Sequence, residues 1–400
     1  MEVEETEAET IIRYVNALCR EIEGCKKILR ERDFSAESIF IGGGTPSLLN
    51  KDQIGNILDT CRVVFGSKAE EITIEANPST ITLQSLEGYR ESGINRLSLG
   101  CQSFDDEELK KIGRVYKGED IYKSFELAKE AGFKNISIDL IFGIPGQDLE
   151  SFRSSLGQAL SLGPRHFSLY NLSIEESTHF QYLFKRGELV LPGEDEQVAM
   201  YECGIKTLSE KGYEHYEISN FARQGERCRH NVNYWRGGEY LGFGAGAHSF
   251  LRVEGSELRV KGSRTGVPPV SSPSPFLLPG GERSKEIGGQ SNLLGRRWWN
   301  LKDVKKYCEA IEEGNRAVED GEELYESKLL SEAMMLGLRM IEGIDTMEFY
   351  KRHSVSITER YENEIGSLMK EDLIFLKDGR LKLTHKGILF SNEVFLRFMA

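Results

Sequence analysis

The chain has 400 residues, 51 lysines and arginines against 64 aspartates and glutamates, a formal net charge of -13, and a hydrophobic fraction of 39%. That apolar content supports a large core and excludes wholesale disorder, while the acidic balance argues against a broad nucleic-acid-binding face. No stretch reaches the roughly 18 to 20 apolar residues that a membrane-spanning helix needs. The first ten residues carry Glu2, Glu4, Glu5, Glu7 and Glu9, the opposite of a basic, apolar secretion signal. The seven cysteines (Cys19, Cys25, Cys61, Cys101, Cys203, Cys228 and Cys308) are odd in number, widely spaced and free of any CxxC pair. Such usage suits a reducing compartment rather than a disulfide framework or a zinc ribbon, so the expected location is cytoplasmic.

In chain order, Ile11, Val15, Leu18, Ile22, Cys25 and Leu29 recur at steps of three and four, which predicts a helix over residues 7–32. Cys25 and Cys19 read as small core residues of that helix. A repeating alternation follows. Short β-branched or apolar runs fall at 38–41, 71–75, 96–99, 135–142, 166–170 and 213–219. Helical patterns lie between most of them, at 51–65, 82–92, 118–131, 148–162 and 194–211. Strand–helix–strand units in series predict a parallel sheet with crossover helices. Six units with similar helix lengths favour an open (β/α) barrel over a doubly wound sheet. Domain 1 is expected to span residues 1–250.

In either architecture ligands sit at the C-terminal ends of the strands. Those ends carry Gly42-Gly43-Gly44-Thr45-Pro46, Glu75-Ala76-Asn77-Pro78, Gly100-Cys101-Gln102-Ser103, Asp139, Asn171, and Glu217 with Asn220. The three glycines permit positive φ and close approach of a ligand to the backbone. They could cradle a phosphate, accept hydrogen bonds from a ligand ammonium at their carbonyls, or simply turn the chain; a P-loop lysine is absent. Glu75 and Asp139 can accept from ribose hydroxyls or an ammonium, Gln102 can do either job with a neutral amide, and Arg114 can fork onto a carboxylate. Two further histidines lie in polar or glycine-rich surroundings: His230 in HNVNYW and His248 in GFGAGAHS.

Residues 262–295 contain 7 glycines, 5 prolines and 6 serines, 18 of 34 positions, and the run GVPPVSSPSPFLLPGGERS has no helical or strand period. A low-complexity insertion is expected over 251–295, followed by a connecting helix over 296–322. The remaining 323–400 reads as a small winged-helix-like unit. It has helical patterns at 325–340, 346–350 and 356–370, two strands at 373–377 and 380–383 joined by Asp378-Gly379, and a last helix from Thr384.

These motifs, in this order, resemble the radical S-adenosylmethionine proteins related to oxygen-independent coproporphyrinogen III oxidase. The resemblance is carried by IFIGGGTPSLL, EITIEANP, GINRLSLGCQSF, the Arg114 position, ISIDLIFGIPGQ and YEISNFA, and it runs from about residue 10 to residue 400 apart from the insertion. HNVNYW and GFGAGAHS are similar to the heme chaperone (HemW-type) branch. The resemblance implies a partial (β/α)6 barrel followed by a C-terminal helical domain. It also implies that Gly43, Gly44 and Thr45 meet the methionyl amine of S-adenosylmethionine. Glu75 and Gln102 would contact its nucleoside and methionyl portions, Arg114 its carboxylate, and Asp139 and Ser173 the rest. Heme binding makes His230 a candidate iron ligand, with His248 in reserve, and the implied partners are recipient heme proteins, respiratory and membrane-bound ones among them. The family implies a [4Fe–4S] cluster on a CxxxCxxC motif after the first barrel strand. This sequence has no such spacing, and residues 7–32 match the helix that comes after that loop. The first strand and the cluster cysteines are therefore expected to be missing, by truncation or by true loss, and the chain is expected not to assemble the cluster. Porphyrin oxidation and non-catalytic binding of another small anion are the rival expectations.

Overall fold

The computed structural model describes residues 6–26, 34–174, 179–253 and 293–399. By its internal packing the chain divides into two compact units, one of Ser35–Leu58 with Ser67–His230, the other of Met1–Phe34, Asp59–Gly66 and Asn231–Ala400.

The first unit is built on a curled seven-stranded half-barrel sheet. Its strands are β1 (Ser38–Ile41), β2 (Glu71–Ala76), β3 (Arg96–Gln102), β4 (Asn135–Phe142), β5 (His166–Asn171), β6 (Glu214–Glu217) and β7 (Asn220–Ala222), in the order β1-β2-β3-β4-β5-β7-β6. The first five are parallel. The six strands expected from the sequence, β6 among them, run in one direction, and the element beyond that expectation is β7. The chain turns back after β6, and β7 inserts antiparallel between β5 and β6. The cause lies at the turn, where buried Glu217 accepts from the Ser219 N–H at 3.0 Å and from the Asn220 amide. Glu217 and Asn220, expected as ligand-facing, are thus a hairpin clamp.

Alternation along the strands explains why this sheet has two different faces. Ile72 and Ile74, Leu97 and Leu99, Ile136 and Ile138, and Phe167 and Leu169 are all buried on one face. That face packs under the crossover helices, as successive side chains on a strand point to opposite sides. The alternate positions are Glu71, Thr73 and Glu75 on β2, Arg96, Ser98, Gly100 and Gln102 on β3, Ser137 and Asp139 on β4, and His166, Ser168 and Tyr170 on β5. The concave face of the half-barrel is therefore polar almost throughout, where a closed barrel fills its interior with branched apolar side chains. The crossover helices end as their sequences direct: Leu149–Leu162, for example, is capped by Asp148 and stopped by Gly163 in the left-handed conformation.

The second unit holds α1 (Glu7–Gly24), which starts at a Thr6/Glu9 capping box. α1 covers the predicted helix from Glu7 to Gly24, and the part of that prediction over 27–32 lies outside the described residues. Cys25 is buried and Cys19 only partly so; no described cysteine forms a disulfide. A three-stranded sheet, β8 (His248–Arg252), β9 (Leu293–Asn300) and β10 (Val318–Tyr325), runs antiparallel in the order β10-β9-β8. It replaces the connecting helix expected over 296–322, of which only Val304–Glu312 is helical. Arg296, Arg297, Trp298 and Trp299 lie in β9, paired in register with Glu323, Glu322, Gly321 and Asp320. Cross-strand Arg–Glu pairs and bulky aromatic groups favour the extended state there. The expected insertion over 251–295 narrows as well. Residues 251–252 and 293–295 belong to β8 and β9, whose ends pair at Arg252 and Gly295, and residues 254–292 lie outside the described residues.

At the C-terminus, helices Glu326–Arg339, Thr346–His353 and Glu362–Lys370 precede the hairpin of Ile374–Lys377 and Arg380–Leu383. Asp378 and Gly379 both take positive φ, 51° and 72°, which is the turn their dipeptide predicts. A short strand, Ile344–Asp345, completes a three-stranded wing. Among the described residues no helix is long and apolar enough to cross a membrane.

Candidate nucleoside and heme sites

Gly43 with Glu75, Thr45 with Asn77, and Gln102 with Gly100 and Asn77 meet near the strand ends of the first unit. Gly43 donates its N–H to Glu75 Oε2 at 3.1 Å. Gly43 and Gly44 take φ of +81° and +59°, and a Cβ added to either would meet nothing within 4 Å, so an open shelf lies above both. Gly42 differs: its Cβ would come within 2.9 Å of Glu75 Oε2 and 2.5 Å of the Phe40 ring, so only glycine lets these groups close on the loop. Thr45 Oγ1 accepts from Asn77 Nδ2 at 3.4 Å. Gln102 ends β3 beside a bulge with φ of 65°, and its amide folds over Gly100 next to Asn77.

Asp139 lies at the centre of the polar face. Its carboxylate accepts from Ser98 Oγ at 2.9 Å and Ser137 Oγ at 3.3 Å. Burial raises the pKa of Asp139, and the bonds from Ser168, Ser98 and Ser137 and the charge of Arg96 oppose that rise. Glu75 is also raised, again by burial first, with the Gly43 N–H opposing it. Arg114 lies on the turn after Asp106–Lys111, and its Nε is buried without a hydrogen-bond partner. Ser173 is exposed, two residues past β5. Asn77 was placed at a strand end from the sequence without a role of its own, and the serines around Asp139 were not singled out. The signal for the serines was the polar alternation of the strands, hidden because each run reads first as β-branched and apolar.

A buried carboxylate organises the other end of the same face. Glu71, 5% exposed, accepts from the N–H groups of Arg229 and His230 at 3.0 Å each and from the Cys228 thiol at 3.5 Å. It thereby ties down the start of α2 (Arg229–Trp235), the helix formed by HNVNYW. The His230 ring is oriented by Ser38 Oγ at Nδ1, 3.2 Å, and stacks on Phe40 with centroids 4.9 Å apart. Burial lowers its pKa to about 4, so the ring is neutral at ordinary pH. His248, in the second unit, is exposed at the start of β8 and stacks on Trp299 at 5.7 Å.

A half-barrel of parallel strands, a glycine shelf after the first of them and carboxylates at the following strand ends define a radical S-adenosylmethionine-type domain. The family model described as Radical SAM superfamily matches residues 17–159, and the HemN C-terminal domain matches residues 326–390. Heme chaperone HemW of Bacillus subtilis is 34% identical over 395 residues, covering 98% of this chain and 93% of that protein. Its counterpart in Haemophilus influenzae is 31% identical, covering 98% and 90%. Among solved structures, the Escherichia coli coproporphyrinogen III oxidase HemN, a radical SAM enzyme, aligns with a TM-score of 0.74 at 22% identity, over 98% of this chain and 84% of that one. The chain belongs to the heme chaperone HemW family.

The residues present fit S-adenosylmethionine: an open glycine shelf lies beside the Glu75 carboxylate, Asp139 adds a second carboxylate on the same polar face, and Arg114 keeps a buried guanidinium nitrogen without an acceptor. They do not fit a [4Fe–4S] cluster, because among the described residues no group of three or more His, Cys, Asp or Glu could hold a metal ion.

Proposed function

We propose that this chain is a heme-binding chaperone that takes heme iron on His230, holds S-adenosylmethionine at the mouth of the half-barrel, and passes heme to recipient heme proteins. The relatives named heme chaperones, aligned along nearly the whole chain, support the activity. The observation that carries the site is the state of His230. Its ring is neutral, fixed through one nitrogen by Ser38, and backed by Phe40. Neutral imidazole is the ligating form, and a hydrogen bond at the other ring nitrogen is the usual device that orients it.

For S-adenosylmethionine, the carbonyl groups of Gly43, Gly44 and Thr45 would accept from the methionyl ammonium. Glu75 and Gln102 would bind the nucleoside and methionyl portions, the Arg114 fork the carboxylate, and Asp139 and Ser173 the remaining polar groups. When bound, this group supplies a cationic sulfonium, and the carboxylates of Glu75 and Asp139 favour its charge.

Heme titration followed by gel filtration tests the reading. Wild-type protein is expected to elute with a Soret band, and His230→Ala to lose most of it. A wild-type chain that retains no heme overturns the proposal. An unchanged band in His230→Ala removes His230 as the ligand, and His248→Ala then tests the exposed alternative.

A further inference from the structure

Two files of hydrogen bonds that meet at Cys228, one on its backbone N–H and one on its thiol, join the two candidate ligand positions of the half-barrel. Ser137 Oγ donates to Asp139 Oδ1 at 3.3 Å and lies 2.8 Å from His166 Nδ1. His166 Nε2 lies 2.8 Å from the Tyr216 hydroxyl, which accepts from the Cys228 N–H at 3.3 Å. The Cys228 thiol donates to Glu71 Oε1, the same atom that accepts the His230 N–H at 3.0 Å. Every intermediate group is sealed from solvent: Ser137, His166 and Cys228 are 0% exposed, Tyr216 1% and Glu71 5%.

The ends of the file fix its polarity. The Ser137 hydroxyl has one proton and gives it to a carboxylate, which can only accept. His166 must therefore donate through Nδ1–H to Ser137. A neutral imidazole then presents Nε2 as an acceptor, so the Tyr216 hydroxyl donates to it. Burial and the nearby Arg96 charge keep His166 neutral, in agreement with this assignment. The file has one consistent direction from Tyr216 to Asp139.

We infer that His166 and Tyr216 are positioning residues that couple the nucleoside site at Asp139 to the His230 site. The inference rests on the proposed function for the identity of the two ligands. A ligand hydroxyl that donates to Asp139 competes with Ser137 for the carboxylate. The weakened Ser137 bond is felt by His166 and Tyr216, and through Cys228 and Glu71 at the backbone of His230. Such coupling is reciprocal in the binding equilibria of the two ligands, and burial of the intermediate groups strengthens each bond that carries it.

The test measures heme affinity with and without saturating S-adenosylmethionine, in wild type, Tyr216→Phe and Ser137→Ala. The wild type is expected to show a change of about fivefold, within the usual range of such couplings. Tyr216→Phe and Ser137→Ala keep side-chain shape but break the file, and the ratio is expected to fall close to one in both while each ligand alone still binds. A wild-type ratio of one, or the same ratio in all three proteins, overturns the coupling. A chain that binds neither ligand overturns the proposed function instead. The file is then judged on the ligand-free protein by ring and amide 15N shifts. Asp139→Asn is expected to move both the His166 ring signals and the His230 amide, starting from an Nδ1–H tautomer. A wild-type Nε2–H tautomer, or an unmoved His230 amide, overturns the inference without reference to any ligand.

Discussion

Glu71 Oε1 lies 3.0 Å from the backbone nitrogen of His230, a residue 159 positions later in the chain. One buried carboxylate at the start of β2 therefore sets where α2 begins and where its histidine stands. Glu71 also neighbours the fully buried Arg96 guanidinium on β3, so the carboxylate has two duties: it satisfies the helix start and it balances a buried cation.

Glu71→Leu is expected to be one of the costliest single changes in the first unit. It leaves two N–H groups without their acceptor and the Arg96 guanidinium without a neighbouring negative charge, and breaking a buried charge arrangement from one side costs about 3–5 kcal/mol. Glu71→Gln keeps an acceptor oxygen but not the charge, and should cost less. Urea unfolding of the two variants checks the ordering; equal stabilities would refute the clamp.

Three histidines make the protein sensitive to mild acid. Burial lowers His230 and His353 to about 4 each and holds His166 well below its ordinary value of 6.5. In each case the unfolded chain binds the proton first, so stability is lost as pH falls below 6.5, for His230 and His353 through the window from 6.5 to about 4. Those two each contribute about 1.4 kcal/mol per pH unit there, and His166 acts in the same direction. His353→Leu, at a position 5% exposed, should flatten the profile measured by urea unfolding at pH 4.5 to 7.5. Heme held on His230 should persist at pH 5.5, because that ring is still neutral.

The glycine shelf separates two kinds of ligand defect. A Cβ at Gly42 would press on Phe40 and on Glu75 together. Phe40 backs the His230 ring, and Glu75 binds the Gly43 N–H. Gly42→Ala is therefore expected to weaken both heme and S-adenosylmethionine, each by about tenfold, a loss of roughly 1.4 kcal/mol. Arg114→Gln removes a charge-assisted fork and should weaken S-adenosylmethionine by a similar factor while leaving heme binding unchanged. Isothermal titration of each variant with each ligand checks the pattern, and a Gly42→Ala protein impaired for one ligand alone would break the argument.

What could be read from the sequence divides along physical lines. The strand at 38–41 and the helix at 51–65 were predicted to the residue, the helix because a buried face at Ile54, Leu58, Cys61 and Phe65 imposes a period of 3.6, the strand because SIFI is a short β-branched and apolar run stopped by glycines. Gly43 and Glu75 were legible because turn chemistry and strand-end carboxylates are local signals. The Glu71–His230 contact was not, since the two residues carry no mutual pattern and meet only when the sheet curls. The strand Leu293–Asn300 was hidden for another reason. Its two arginines and two tryptophans have no alternation of polarity, and the pairing with β10 that makes them extended is set by residues 318–325. Asn220 was misread because a polar residue at a strand end looks the same whether it faces a ligand or closes a hairpin.

Glu21 offers a matching test in the second unit. It lies on α1, and its carboxylate accepts from Gly244 N–H at 2.8 Å, Asn300 Nδ2 at 2.7 Å and the Tyr307 hydroxyl at 2.7 Å. Burial is the first cause of its raised pKa, and the three bonds from Tyr307, Gly244 and Asn300 oppose it. These donors come from the loop before β8, from the end of β9 and from the helix Val304–Glu312, so one side chain ties α1 to three separate elements. Glu21→Ala would take this acceptor from the Gly244 N–H and the Tyr307 hydroxyl, while Asn300 Nδ2 keeps its bond to the Gly244 carbonyl at 2.9 Å; the cost is about 1–3 kcal/mol for each buried group left unsatisfied. Glu21→Gln keeps one acceptor oxygen and should retain part of the stability. The expected order in thermal unfolding is wild type, then Glu21→Gln, then Glu21→Ala, and proteolysis of Glu21→Ala should cut first near Gly244. The loop has glycines with positive φ at 244 and 246, and its hold on α1 comes from Glu21 and from the Tyr14 hydroxyl, which accepts the Ala245 N–H at 3.3 Å. If Glu21→Ala unfolds at the wild-type temperature, the carboxylate is a passive occupant of the core, and the anchoring must be assigned to Tyr14 instead.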